Sequence, residues 1–335
     1  MTAPTSAHNA APATARPARR WPVGGARAML AAMPCRLAAV LALAVLPFAA
    51  CAAPRPLAGA EAELQALAAK VRGTVGIYVR DLTTGDEVAI RADEAFPTAS
   101  LVKLPILGAL LAKVDRGELA YRQELTYTKD RLYPGEDLLG SFADGRKVAL
   151  DKVAMLMITT SDNTASLWCQ ELAGTGTAIN DWLAARGCAV TRVNSRTPGR
   201  EAERDRWGWG VTTPREMANL LAQAVDGRLG SAAACDEARR CLGRIYWDDE
   251  ALSSLPPDAH ALSKQGAIDR SRSEVVLVHA PRGDYVFCVI TKEQQDRSWG
   301  RDNEGFVLLR AVSAALWRRF APDRPYAPPA GHERF

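Results

Sequence analysis

Strand-like patterns lie near the two ends of this chain of 335 residues, and helix-like patterns fill the stretch between them. Alternating or continuous apolar runs separated by turn residues predict strands at 74–81, 87–92, 261–266, 274–280 and 284–291. From Ser100 to about Leu221 the apolar residues recur instead at helical spacing, interrupted by a polar loop at 196–211. Further helices are predicted at 61–71 and 303–320. A chain ordered in this way forms one sheet only if its two ends come together.

We therefore expect an α/β (α+β) fold, in which an antiparallel sheet is flanked by helices from both chain ends and carries an inserted all-helical lobe. The α/β lobe would comprise about 61–97 and 215–320, and the helical lobe about 98–214. A linker at 52–60 precedes this domain, and a tail at 321–335 follows it. The hydrophobic content of 48% is enough for one large domain of two lobes.

The first 51 residues have the composition of an export signal. Five arginines and no acidic residue occur in the first fifty, and a run of fourteen apolar residues, Leu37–Ala50, ends at Cys51. This run is too short to span a bilayer comfortably and follows the charge as in secretory signals. Ala49, Ala50 and Cys51 also resemble a bacterial lipoprotein signal, in which the cysteine is lipidated. Because Phe48 replaces the usual leucine, an ordinary secretory signal remains the alternative. We expect an exported, periplasmic protein with Cys51 as its candidate membrane anchor.

The rest of the composition argues against several classes of function. Without the first fifty residues the chain has 37 basic and 38 acidic residues, so its charge does not favour nucleic-acid binding. Four dispersed histidines and no C-x-x-C pattern argue against a zinc site and against a Ser-His-Asp hydrolase. We therefore expect no metal; a small-molecule substrate, no cofactor and a monomer are expected from the motifs described below. Cys235 and Cys241 are close enough in sequence to be a candidate disulfide in an oxidising compartment.

Ser100 and Lys103 stand three residues apart at the start of an apolar helical run. Alone, this S-x-x-K pattern is better explained by a helix cap followed by a surface lysine. Two later motifs change that balance: Ser161-Asp162-Asn163 at the end of a helix, and Lys264-Gln265-Gly266 in a predicted strand. A serine, a lysine, a second hydroxyl and a second ammonium form a consistent set for acyl transfer without histidine.

In this order the three motifs resemble those of the class A serine β-lactamases and their penicillin-binding relatives. The likeness extends over about 74–320 and includes the segments FPTASLVK, ADGRKVALDKVAMLMITTSDNTAS and VTTPREMANLL. It implies a β-lactamase/transpeptidase-like fold and an exported serine β-lactamase that opens the lactam through an acyl-enzyme on Ser100. Two alternatives remain open: a D-Ala-D-Ala peptidase-like serine hydrolase, and a penicillin-binding protein that is acylated without efficient deacylation.

The resemblance assigns a role to each polar residue of the motifs. Ser100 is the nucleophile, and Lys103, one helical turn away, accepts its proton if part of the lysine population is neutral. Burial and a second cation would both lower the pKa of Lys103, and Lys264 is the candidate cation. Ser161 would relay a proton to the leaving nitrogen, and Asn163 would hold the amide of the substrate. Asp162 is expected to brace its loop.

Backbone groups and an aromatic wall complete the site that the resemblance implies. The N–H of Ser100 lies at the start of a helix and would supply half of an oxyanion hole. The other half would be an N–H just after Gly266, at about Ala267. Tyr133 is a candidate for the aromatic wall opposite the polar loop, although such a residue is as often part of the packing.

The polar loop departs from the family pattern. In class A enzymes it carries E-P-x-x-N, whose glutamate activates the water that frees the acyl-enzyme. Here the matching stretch is Thr197-Pro198-Gly199-Arg200-Glu201, so that threonine replaces the glutamate. Our hypothesis is that Glu201 has taken over as the deacylation base. Glu203 is a nearby competitor, and a solvated loop glutamate is the alternative interpretation.

The strand motif also departs from the family pattern. Lys264, Gln265 and Gly266 are expected to contact the substrate, but Gln265 stands where the family has Thr or Ser. An amide NH₂ can donate a hydrogen bond to the substrate carboxylate, although its side chain is longer. Arg272 or Arg270, after that strand, is the candidate guanidinium for the same carboxylate, and a surface arginine explains each equally well.

Overall fold

The computed structural model describes residues 55–329, and the predicted export signal with Cys51 lies outside that range. The nine α-helices within it are α1 Ala60–Ala68, α2 Lys103–Asp115, α3 Leu150–Thr159, α4 Asn163–Leu172, α5 Thr175–Ala184, α6 Glu201–Trp207, α7 Pro214–Val225, α8 Ala232–Leu242 and α9 Glu304–Phe320. The ten strands of the same range are β1 Thr74–Asp81, β2 Glu87–Ile90, β3 Phe96–Pro97, β4 Glu124–Thr126, β5 Lys147–Ala149, β6 Arg192–Val193, β7 Gly210–Thr212, β8 Ala261–Ile268, β9 Ser271–Val278 and β10 Tyr285–Lys292. Short 3₁₀ turns occur at Ala99–Val102, Lys129–Arg131, Leu139–Ser141 and Ala251–Ser254.

Five strands form one antiparallel sheet in the order β2-β1-β10-β9-β8, so the two ends of the chain meet in it. β1 pairs with β10 along its whole length, with Thr74 opposite Lys292 and Asp81 opposite Tyr285. The expected α/β (α+β) fold with an antiparallel sheet is thereby confirmed. The strand predicted at 274–280 begins earlier, at Ser271, because only Asp269 and Arg270 separate β8 from β9 in a tight hairpin.

Helices cover both faces of this sheet, which explains why β9 is buried at every position. On one face Val276 packs in a cluster with Trp317 of α9. On the other face Val275 belongs to a cluster with Met217 of α7 and Leu104 of α2. Among the helices of residues 55–329, none is long and apolar enough to cross a membrane.

The inserted region is mainly helical but contains short strands that the sequence pattern did not predict. β3 pairs with β7, and β7 pairs with β6, in a small three-stranded sheet beside the start of α2. β4 and β5 form a separate two-stranded pair. Strands of two or three residues are fixed by pairing with a distant segment, so they leave no alternating pattern of their own.

The cysteine pairing expected from the sequence is wrong. Cys235 and Cys241 are both free and buried in α8. Six residues of an α-helix rise about 9 Å along its axis. That separation exceeds the Cα distance of about 7 Å beyond which two cysteines cannot be bridged without moving the backbone.

Candidate active site

Ser100 lies in the 3₁₀ turn that leads from β3 into α2. The first hydrogen bond of this turn is donated by the N–H of Leu101 to the carbonyl of Thr98, so the N–H of Ser100 precedes the helical ladder. Ala99, just before the serine, has a φ of 44°, a left-handed conformation that is unfavourable for a residue with a Cβ. Backbone strain of this kind is often found at functional sites.

Lys103 is fully buried and lies between the two serines of the motifs. Its Nζ donates hydrogen bonds to Ser100 Oγ at 3.0 Å and to Ser161 Oγ at 3.0 Å. It also donates to Asn163 Oδ1 at 2.9 Å and to the carbonyl of Ser161. The amine is therefore in direct contact with the hydroxyl that the sequence identifies as the nucleophile.

Burial sets the basicity of this amine. Removal from water lowers the pKa of Lys103 from 10.5 to about 7, and the nearby carboxylates of Glu136 and Asp162 act in the opposite direction. Near neutral pH about half of such a lysine population is neutral and can accept a proton. Lys103 thus meets both requirements of a general base, which are contact and a suitable pKa.

Lys264 approaches the same hydroxyl from β8. Its buried Nζ donates to Ser161 Oγ at 3.3 Å, to the carbonyl of Gln265 at 3.0 Å and to Gln265 Oε1 at 2.5 Å. Burial first, and the positive charge of Lys103 second, hold the pKa of Lys264 well below its usual range. The expectation that Lys264 is a main cause of the lowered pKa of Lys103 needs correction, because burial is the largest cause and the other causes are carboxylates.

The loop between α3 and α4 holds Ser161 and Asn163 in place through Asp162. The buried Asp162 carboxylate accepts backbone hydrogen bonds from Leu138 at 2.7 Å, Leu139 at 2.8 Å and Ala165 at 2.7 Å. The last of these bonds caps the N-terminus of α4. Ser161 itself has a φ of 61° and is 3% exposed. A carboxylate bonded to two segments keeps this strained residue in position beside both lysines.

The edge of β8 lies against the nucleophile, and only glycine fits at the point of contact. A Cβ at Gly266 would lie 2.8 Å from the backbone nitrogen of Ser100 and 3.0 Å from the carbonyl of Thr98. Ser100 and Ala267 line one cavity of about 230 Å³. The N–H groups of these two residues are the candidate oxyanion donors that the sequence indicated.

Aromatic side chains and one carboxylate form the remaining wall of this cavity. Tyr133 lines it as expected, and its ring lies 5.2 Å from that of Trp209 in an edge-to-face contact. Sequence reasoning did not identify Glu136, Trp207 or Trp209, which also line it. The Pro-Gly turn before Glu136 and the W-G-W sequence at the end of the polar loop are the signals that could have pointed to these residues.

Glu201 is not among the residues that the structure brings together beside Ser100. It is exposed at the first position of α6, where its Oε1 accepts the N–H of Gly199 at 3.2 Å. It lines a different cavity, of about 260 Å³, from the one beside Ser100. Thr197, which takes the place of the family glutamate, is buried against Gly176 of α5. Glu203 also lies outside the residues that line the Ser100 cavity.

The two arginines suggested for carboxylate binding do not line the cavity beside Ser100 either. Arg272 is fully buried, and its guanidinium donates to the carbonyls of Ile268, of Ser271 at 2.9 Å and of Ser298 at 2.6 Å. It also stacks on Trp299, 4.4 Å from the ring centre. Arg272 is paired with Ala267 in the hairpin, one position out of phase with Lys264 and Gly266, so it points to the opposite face of the sheet.

Arg270 and Gln265 are likewise occupied by other contacts. Arg270 is exposed and donates to the carbonyls of Glu293 at 3.1 Å and Gln294 at 3.3 Å. Gln265 is 6% exposed, and the oxygen of its amide accepts from Lys264. The strand motif therefore presents a lysine already bonded to its neighbour.

A lysine buried between two serines, at the contact of a helical lobe with the edge of an antiparallel sheet, is the arrangement that a serine acyl-transfer site without histidine requires. The model of a family described as "Beta-lactamase enzyme family" matches residues 59–320, and the chain belongs to that family.

Solved structures of related proteins agree with this assignment. The chain is 28% identical to PBP-A, with a TM-score of 0.70 over 80% of this chain and 97% of that one. It is 25% identical to a β-lactamase from Sphaerobacter thermophilus DSM 20745, with a TM-score of 0.69 over 78% and 97% of the two chains. It is 26% identical to an ancestral class A β-lactamase (GNCA), with a TM-score of 0.69 over 78% and 99%.

Proposed function

We propose that this protein is a serine hydrolase that β-lactams acylate at Ser100 and that releases the acyl group slowly. One observation carries the proposal: Lys103 bridges Ser100 and Ser161, whereas the loop carboxylate Glu201 lies in another cavity. The residues for acylation are thus assembled without the loop base that deacylation uses in the class A family. PBP-A is similar to this chain, and a variant of that protein has been solved as an acyl-enzyme with penicillin G.

Acylation follows from the hydrogen bonds at Lys103. The neutral amine takes the proton of Ser100 Oγ, and Oγ adds to the lactam carbonyl carbon. The N–H groups of Ser100 and Ala267 donate to the oxyanion that forms. When the C–N bond breaks, the nitrogen receives a proton from Ser161 Oγ, and Ser161 is replenished by the protonated Lys103 to which it is bonded. The product is an ester on Ser100 with the lysine neutral again.

A second candidate is a β-lactamase that turns over its substrate rapidly. The family description and the names of two of the similar structures support this candidate. A single experiment separates the candidates. The full chain is mixed with a chromogenic cephalosporin, and product formation is followed together with intact mass. A stoichiometric adduct that persists, and that is lost in Ser100→Ala, supports slow release. Rapid multiple turnovers of the cephalosporin support the β-lactamase. In a parallel assay with D-Ala-D-Ala peptides, turnover of the peptides alone supports the D-Ala-D-Ala peptidase that the sequence left open.

We also propose that the protein acts outside the cytoplasm, as the leader with its apolar run ending at Cys51 indicates. Cell fractionation with labelled palmitate would separate a lipid-anchored product from a free one. A Cys51→Ser variant that is still labelled, or a wild-type chain that stays in the cytoplasm, would contradict this proposal.

A further inference from the structure

Among the described residues that line the cavity beside Ser100, one has a side chain that is charged at neutral pH, and that side chain is acidic. Its wall consists of Ala99, Ser100, Tyr133, Glu136, Asn163, Trp207, Gly208, Trp209, Ala267 and Ile268. Glu136 is exposed, and within residues 55–329 its carboxylate makes no salt bridge with a neighbouring cation. Asn163 and Ala267 lie in this wall, whereas the leaving-group residue Ser161 does not. Because Asn163 is the residue expected to hold the amide of the substrate, the proposed acylation places the acyl side of the substrate in this cavity.

The two lysines of the site are not available to an anionic acyl group. Lys103 donates to Ser100, Ser161 and Asn163, and Lys264 donates to Ser161 and Gln265. Both ammonium groups are fully buried, and neither lysine lines the cavity. A carboxylate placed here would meet Glu136 directly, whereas Lys103, whose Nζ lies 5.9 Å from the ring centre of Trp209, does not line the cavity.

Aromatic rings next to Glu136 add to its preference for a positive group. Tyr133 and Trp209 both line the cavity and contact each other edge to face. A ring face and a carboxylate together favour an ammonium ion, because both present negative potential. Asn163, whose backbone N–H donates to the carbonyl of Glu136 at 2.7 Å, fixes this carboxyl-bearing segment beside the nucleophile.

We propose that the enzyme selects acyl donors that carry a primary ammonium group close to the scissile carbonyl, and that Glu136 is the residue that recognises it. The inference rests on the proposed acylation of Ser100 and adds the substrate class to it. An exposed ion pair of this kind changes rates by about twofold to fivefold, and salt weakens the effect.

A second, adjoining cavity provides the competing possibility that the test must address. It measures about 440 Å³, shares Trp207, Gly208 and Ile268 with the first, and is lined by Arg204, Arg206, Arg270 and Lys292 as well as Asp205 and Glu293. If these cations governed selection, an anionic acyl group would be preferred. The two cavities therefore predict opposite orders of substrates.

Three penicillins differ only at the α-carbon of the side chain and serve as probes: benzylpenicillin is neutral there, ampicillin carries an ammonium and carbenicillin a carboxylate. Second-order acylation rates of Ser100 are measured by intact mass at low and high salt, for the wild type, Glu136→Gln and Glu136→Lys. We expect Glu136→Gln to lower the ratio of ampicillin to carbenicillin rates by about twofold to fivefold per charge. We expect Glu136→Lys to invert the order. Asp205→Asn, which removes an exposed carboxylate from the adjoining cavity only, should leave the ratio unchanged.

Equal ratios in the wild type and in Glu136→Gln overturn the inference, as does a wild-type preference for carbenicillin. A change of rate that is equal for all three penicillins, with the ratio unchanged, also overturns it, because Glu136 then acts only through the pKa of Lys103 and not on selection. If none of the three acylates Ser100, the proposed function itself fails and the inference fails with it. Acylation at rates that do not depend on Glu136 removes the inference alone.

Discussion

The acylation rate should depend on pH through a single buried amine. A lysine with a pKa of 10.5 is roughly 0.03% neutral at pH 7, whereas one with a pKa of about 7 is about half neutral. The fold therefore raises the concentration of the competent base on the order of a thousandfold. The neutral fraction of Lys103 rises from about 9% at pH 6 to about 91% at pH 8, so the acylation rate should rise about tenfold over that range.

Stopped-flow measurement of acylation under single-turnover conditions from pH 5 to pH 9 tests this expectation. Lys103→Met should lose about 10²-fold to 10⁴-fold of the rate and all of the pH dependence near 7. Lys70→Met, at an exposed lysine far from the motifs in sequence, should change neither. A rate that continues to rise up to pH 10, with the midpoint of a free lysine, would refute the argument that burial tunes this base.

The same lysine makes a prediction for stability. Its folded pKa lies below its unfolded pKa, so the unfolded chain binds more protons between about pH 7 and pH 10.5. The contribution of Lys103 to the free energy of unfolding is therefore most unfavourable below pH 7 and improves by about 1.4 kcal/mol per pH unit above it. Denaturation of the Lys103→Met variant should lack this slope. Parallel pH profiles for variant and wild type would contradict the assignment.

Three further predictions concern single positions. Gly266→Ala places a Cβ 2.8 Å from the backbone nitrogen of Ser100 and should lower the acylation rate about 10²-fold. Gly300→Ala, with open space around it, should leave the measured rate of adduct formation unchanged. Glu201→Gln should change the lifetime of the acyl-enzyme by no more than about twofold, and a strongly prolonged adduct in a mass time course would restore it as the base. Burial raises the pKa of Glu274 to about 7, so its stabilising contribution is present below pH 4.5 and is lost as the pH rises through 7. As the pH rises from 5 to 8, the stability of Glu274→Gln should increase relative to that of the wild type. If the difference between their denaturant midpoints does not change with pH, Glu274 does not titrate in this range.

The sequence predicted those parts of the site that depend on local spacing. Ser100 and Lys103 meet because three residues on one helical start place their side chains on the same face. Ser161 and Asn163 are placed in part by a local bond, in which Asp162 accepts the N–H of Ala165 and caps α4, and in part by the bonds from the distant Leu138 and Leu139. Strands near both ends of the chain can share one sheet only if the ends meet, and the apolar pattern at both ends was sufficient to predict this arrangement.

The suggested residues that the structure does not bring to the site are those whose direction depends on a path that the sequence pattern does not fix. Arg272 faces away from Ser100 because the hairpin turn contains only two residues, and that register puts the arginine in phase with Ala267. Glu201 belongs to a loop whose course is set by the burial of Thr197 against α5. Trp209 reaches the site through the same loop. Glu201 and Trp209 depend on packing between segments that are distant in the chain, and Arg272 depends on the register of the hairpin, so the residue type alone carries no directional information.

The burial of the charges around Ser161 explains how one hydroxyl can accept hydrogen bonds from two lysines. The two amines lie 3.0 Å and 3.3 Å from the same oxygen, and removal from water lowers the pKa of each, with the charge of Lys103 lowering the pKa of Lys264 further. On the other side of β8 the carboxylate of Glu274, which accepts from Ser263 Oγ at 2.6 Å and from the N–H of Ala251 at 2.8 Å, offsets part of the charge on Lys264. A proton leaving Ser100 thus enters a group of amines whose affinity is set by burial and by carboxylates on both sides of the strand. Apolar residues of similar volume at the positions of the two lysines would make a more stable core. Burial of a charged lysine destabilises the fold, and the same cost lowers the pKa of Lys103 so that it can act as a base at neutral pH.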